Sequence, residues 1–176
     1  MDLVRPQIEK DITTRKIALA VILAAVAVVL SPLVSIPLGF ATPLPVQHMV
    51  NAIAGVLLGP WYAVLIAVIV GSIRNFLGTG TPLAFPGGIF GGLVVGLAYR
   101  YLLKKDYAAL LEPLGTGLIG ATLSAYLVGP WAYQAGLLKV QPAFPILMTS
   151  FLASSIVGSA LGFAVLKIVR RTRLWT

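Results

Sequence analysis

Gln47, His48 and Asn51 are spaced so that a helix would place all three side chains on one face, since residues three and four apart are neighbours there. Arg74 and Asn75 end the next apolar run, which returns antiparallel across the tight Gly59-Pro60 turn, so the two groups share one depth. These are hydrogen-bonding residues embedded in apolar sequence. Polar groups so placed are costly and face a bundle interior or a cavity, which marks the set as a candidate ligand site. Only Arg74 is charged, and a small, mostly neutral, heteroaromatic compound with a few hydrogen-bonding atoms suits the set best. Apart from Asn51, which lies deeper, each has a plainer role beside this one: Arg74 as a cation on the last carbonyls of its helix, Asn75 as a C-cap, Gln47 and His48 as solvated first-turn residues. Trp131 and Tyr133, after Gly129-Pro130, are either interfacial anchors or rings that stack on a planar ligand.

Bond-making chemistry has little to work with. The acidic residues Asp2, Glu9, Asp11, Asp106 and Glu112 all fall near the inner side in the topology below, which leaves His48 without a carboxylate and a Ser-His-Asp arrangement unassembled. One histidine and no cysteine give too few ligands for a metal, exclude disulfides, and leave no cysteine nucleophile. The chain has no phosphate-binding GxxxxGK[ST] loop, and no cofactor is expected. Glu112 reads as a first-turn carboxylate that complements the positive helix end or pairs with a nearby Lys or Arg; the alternative is an ionisable group for proton or sodium coupling. The chain is therefore not expected to be an enzyme, nor to carry its own motor.

The elements that position these residues follow from composition. The chain has 176 residues, 59% hydrophobic and 10% charged, with a mean hydropathy of +0.97. So much apolar surface needs lipid as solvent, and the expectation is a single-domain, multi-pass, all-α membrane protein over residues 1–176. Six helices are expected, over residues 14–37, 45–59, 60–77, 85–103, 107–128 and 145–169, after an N-terminal segment, 1–13. The first run, 17–30, has no clear small-x-small cleavage site and reads as a retained helix. Pro32 should bend its outer end, and the loop 38–44 carries no charge. The second helix, at ~20 Å, is shorter than the ~30 Å hydrocarbon core.

Charge sets the orientation. With both termini cytoplasmic, only Arg74 and Lys139 of the 13 Lys and Arg residues lie outside, as the positive-inside rule expects. The same asymmetry accounts for the net charge of +8 without nucleic acid, for which no basic face or stacking platform is present. The expected location is a cell membrane, crossed several times. Small residues recur every four positions at Gly88, Gly92 and Gly96, at Gly117, Ala121 and Ala125, and at Ser154, Gly158 and Gly162, and such stripes let helix backbones approach closely. Ala20 and Ala24 form a similar pair on a first helix rich in Val, Ile and Leu, either for internal packing or as a smooth patch that docks another protein.

The segments PVQHMVN (45–51), LLGPWYA (57–63), IRNFLGTGT (73–81) and AFPGG (84–88) strongly resemble the ThiW family, and the six-span plan with RKIALAVILA (15–24) resembles the substrate-binding (S) components of energy-coupling factor (ECF) vitamin transporters. The resemblance implies capture of hydroxyethylthiazole, the thiazole precursor of thiamine, by a subunit that works with a transmembrane T component and two cytoplasmic ATPases. It also implies that small residues on the first helix, here Ala20 and Ala24, dock the T component. The competing readings are an S component for another small vitamin or thiamine-related precursor, a membrane-embedded enzyme acting on a lipid or isoprenoid, and a non-transporting scaffold whose small-residue stripes are the whole function.

Overall fold

A computed structural model describes residues 4–35, 44–141 and 143–172. Six helical segments follow one another: α1 (Val4–Leu33), α2 (Pro45–Leu57), α3 (Pro60–Phe76), α4 (Ala84–Leu103), α5 (Asp106–Gln134) and α6 (Phe144–Arg171). Residues Thr13–Leu33 of α1, together with α4, α5 and α6, are long and apolar enough to cross a bilayer, and α2 and α3 are shorter. The helix expected from residue 14 begins at Val4, so residues 4–13 are its first turns rather than a separate segment. Most of the expected loop 38–44 lies outside the described residues.

Proline sets the starts of α2, α3 and α6, where its missing N–H would have no partner in the first turn anyway. Gly59 adopts φ +92° between α2 and α3, a backbone state that a side chain would strain, and this makes the turn tight enough to bring α3 back alongside α2.

At only 13 residues, α2 is nevertheless the centre of the bundle. It packs most extensively on α6 and α4 and also touches α1, α3 and the start of α5. Val50, Ile53, Val70, Val95 and Leu166 form part of the core around it. The small-residue stripes make this approach possible. On α4, Gly88, Gly92 and Gly96 lie against Ala67, Ala63 and Pro60 of α3, and on α6, Gly158 and Gly162 lie against α2. A second α4 stripe faces α5: an added Cβ at Gly120 would stand 2.6 Å from Gly87 Cα, and one at Gly115 would stand 2.2 Å from the Phe90 carbonyl oxygen.

Irregular turns, which also close α4 at Ala98–Leu103, run through most of α5. It opens with a 3-10 segment (Asp106–Leu111), then widens into π turns at Leu114–Gly120 and Ser124–Val128. It was expected to stop at Val128, before Gly129-Pro130. Instead the preceding π turn passes the Gly129 N–H to Ser124, and Pro130 enters the first turn of a new α segment, Gly129–Gln134, where no N–H is needed.

The basic residues collect at one end of the bundle. Lys16, Arg100 and Lys104 line a cleft with Gly59 and Pro60, and Arg170 lies 3.4 Å from Asp106 and 3.1 Å from the Tyr99 hydroxyl. The Arg74 side chain and the turn 78–81 lie at the end where α3 meets α4.

A cavity with polar groups at the head of the second helix

The first turn of α2 lies deeper than the outer rim. Gly158 stands at the middle of α6, and an added Cβ there would be 2.3 Å from the Pro45 carbonyl oxygen and 2.6 Å from His48 Cβ. The Leu44 backbone N–H donates to Ser154 Oγ at 3.1 Å and pins this recessed start. Above it opens a cavity of about 410 Å³, lined among others by Gln47, His48, Arg74, Thr81, Phe151 and Ser154.

On one wall, Arg74 is 1% exposed. Its Nη1 donates to Gln47 Oε1 and its Nη2 donates to the Thr79 carbonyl at 2.8 Å, so one guanidinium joins α3, α2 and the turn after α3. No carboxylate pairs with it among the described residues, and its Nε has no hydrogen-bond partner there. The Thr79 N–H returns a bond to the Arg74 carbonyl at 2.9 Å, which holds the turn over the helix end.

The far side of His48 corrects the sequence reading of the acids. Glu112 is fully buried, and its Oε1 lies 2.9 Å from His48 Nδ1. Asn51 Nδ2 donates to the same oxygen at 3.1 Å, and the Thr116 hydroxyl lies 2.7 Å from it and 2.8 Å from the Gly87 carbonyl. Glu112 therefore does not pair with Lys or Arg in a first turn; it orients the histidine that was expected to have no carboxylate. Three features bring it there. The recessed start of α2 lowers His48, the 3-10 opening of α5 rises ~2 Å per residue instead of 1.5 Å, and Gly91 clears the path across α4. A Cβ at Gly91 would fall 2.3 Å from Glu112 Oε1.

Thr116 and Glu112 both meet His48 at Nδ1, the hydroxyl at 3.5 Å. A nucleophilic triad needs its acid and its nucleophile on opposite ring nitrogens, so this arrangement holds a side chain in place and does not activate a hydroxyl.

The seven residues proposed for binding fall into four groups. Gln47, His48 and Arg74 line the cavity, while Asn51 stands behind His48 with Glu112. Asn75 donates to the Gly71 carbonyl at 2.8 Å and the Thr81 carbonyl at 3.2 Å, and with Trp131 it lines a second, more apolar cavity of about 800 Å³ that shares Gly78 and Gly80 with the first. Tyr133 is half-exposed and borders neither cavity. Sequence reasoning missed Thr116 and the partners of Glu112. The available signal was that Glu112 and Thr116 are four apart, on one face of a span that has no other acid beyond its first turn.

A family model of the thiamine-precursor transporter protein ThiW matches residues 17–172, which takes in every helix that builds the cavity. The chain belongs to the ThiW family. It is accordingly a multi-pass membrane transport protein, which accords with its apolar helices. A biotin transporter, BioY, of Rhodobacter capsulatus is 29% identical over 90% of this chain and 92% of its own length. No solved structure matches significantly. In this ThiW-family chain, Ala20 and Ala24 line an apolar groove between α1 and α3 together with Ile17, Tyr62, Leu65 and Ile69.

Proposed function

We propose that the chain is the substrate-capture (S) subunit of an ECF-type transporter and binds hydroxyethylthiazole from the extracellular side in the cavity at the head of α2. The observation that carries this reading is an open cavity of about 410 Å³, lined by the buried polar residues Gln47, His48 and Arg74, in a chain of the thiamine-precursor transporter family. Its size is within the range of small-molecule sites, and its lining mixes apolar walls with the polar groups of Gln47, His48 and Arg74. The chain has no phosphate-binding loop, so uptake against a gradient draws on partner subunits: a transmembrane T component and two cytoplasmic ATPases. The α1–α3 groove at Ala20 and Ala24 is the surface for the T component. The basic end of the bundle faces the cytoplasm of a prokaryotic cell, with both termini on that side.

Buried Arg74 without a carboxylate partner among the described residues favours a second reading, an S component for a small vitamin that carries an anionic group, as the BioY relative's name suggests for biotin. Calorimetry on the purified chain tests both. Selective binding of hydroxyethylthiazole over the thiamine pyrimidine, thiamine and biotin supports the first. Preference for biotin overturns it, and no binding by any of the four from folded protein removes both.

A further inference from the structure

Resting on the thiazole reading, a second level of selection can be read from the far side of His48. Oε1 of Glu112 gathers three groups, namely Asn51 Nδ2, the Thr116 hydroxyl and His48 Nδ1. Ionised, this carboxylate would accept from all three and could not donate, while its Oε2 is buried without a hydrogen-bond partner among the described residues. In that state the proton shared with His48 resides on Nδ1. In the neutral ring this leaves Nε2, on the opposite edge, as a lone-pair acceptor. His48 lines the cavity, Glu112 and Thr116 that meet its Nδ1 do not, and Nε2 has no hydrogen-bond partner among the described residues.

We infer that Glu112 is a specificity-determining residue that acts through His48: it fixes Nε2 as a hydrogen-bond acceptor in the cavity, so the ligand must present a hydroxyl or N–H at that point. Arg74, which also lines the cavity, supplies the complementary demand, because a guanidinium only donates. The site thus selects a ring compound with an acceptor at one end and a donor at the other. Hydroxyethylthiazole has both, in its ring nitrogen and its alcohol. Glu112 is a positioning residue here, since His48 stands between it and the cavity.

The chain contains one histidine, so nitrogen NMR of protein with isotope-labelled histidine reads His48 alone. The wild type should show the Nδ1-protonated neutral ring, and Glu112→Gln should shift the signal toward Nε2 protonation, because the glutamine amide can donate to Nδ1. In calorimetry the wild type should prefer hydroxyethylthiazole to its O-methyl ether by about tenfold or more, since the ether cannot donate and leaves a buried acceptor unpaired. In Glu112→Gln the preference should fall to about threefold or less. An Nε2-protonated ring in the wild type, or equal binding of alcohol and ether, overturns the inference, and neither measurement needs the variant to fold. If neither thiazole binds while the Nδ1 signature is present, the ligand reading fails and the positioning of His48 by Glu112 stands.

Discussion

Glu112 and His48, 64 residues apart, meet at 2.9 Å in the interior of the bundle, one from the fifth helix and one from the second. Neither helix places its residue there by ordinary geometry. A short second helix, a stretched opening to the fifth and a gap at Gly91 are all required. The cavity therefore inherits its polar floor from backbone features.

Gly91 gives the most direct check on that relationship. Replacement by Ala puts a methyl group 2.3 Å from Glu112 Oε1 and 2.4 Å from Thr116 Oγ1, and the network cannot keep its present shape. Gly91→Ala should lower stability by about 1–3 kcal/mol, the usual cost of overpacking, and weaken ligand binding along with it. Gly87→Ala, whose Cβ would meet nothing closer than the Phe151 ring at 3.2 Å, should cost less. Thermal unfolding in detergent, with calorimetry on both variants, orders the two. A Gly91 variant as stable as wild type would show that Glu112 reaches His48 by a looser route.

Much of this arrangement is legible in the residues and some is not. Pro45 and Pro60 announce helix starts, the glycine stripes announce close packing, and Gln47, His48 and Arg74 do converge on one cavity. Depth is the quantity that sequence conveys poorly. Counting 1.5 Å per residue from each end keeps Glu112 on the inner side, because nothing in Asp106–Leu111 announces a 3-10 rise. The same counting ends the fifth helix at Gly129-Pro130, since a π turn that serves the Gly129 N–H leaves no mark in composition. Asn75 and Trp131 are close in depth to the first cavity yet face a neighbouring one, a distinction made by side-chain direction and not by spacing.

Arg74 ties three elements together, so its loss should affect both stability and binding. Arg74→Ala leaves the partly buried Thr79 carbonyl and the buried Gln47 Oε1 without a donor, the latter at roughly 1–3 kcal/mol. Binding should fall by about tenfold or more. Arg74→Lys should lie between, because an ammonium cannot reproduce the planar fork that reaches two acceptors at once. A lysine variant that matches wild type in both unfolding and calorimetry would reduce the contribution of Arg74 to its charge.

Trp131 separates the two cavities as ligand sites. It is 58% exposed and lines the apolar cavity, whereas Gln47 is buried on the polar one. Trp131→Ala should therefore change thiazole affinity by about threefold or less, while Gln47→Ala, which frees a buried Arg74 donor, should weaken it by tenfold or more. The reverse order, measured by calorimetry, would move the ligand to the second cavity and make the Trp131 ring its cover.

The groove between α1 and α3 bears on transport without bearing on capture. It is wholly apolar, its floor at Ala20 and Ala24 is half-buried against the core, and it lies on a different surface from the polar cavity. Leucine at both alanines would fill the groove and push any partner helix outward, because close helix approach in lipid depends on small residues at the contact. Neither substitution reaches Gln47, His48 or Arg74. Ala20→Leu with Ala24→Leu should thus leave thiazole binding to the purified chain unchanged and abolish uptake in cells that supply the partner subunits. Co-purification of those subunits reports on docking itself. Uptake that persists with full partner recovery would place the docking surface elsewhere on the bundle, and lost binding would show that the groove and the cavity are mechanically linked through α3.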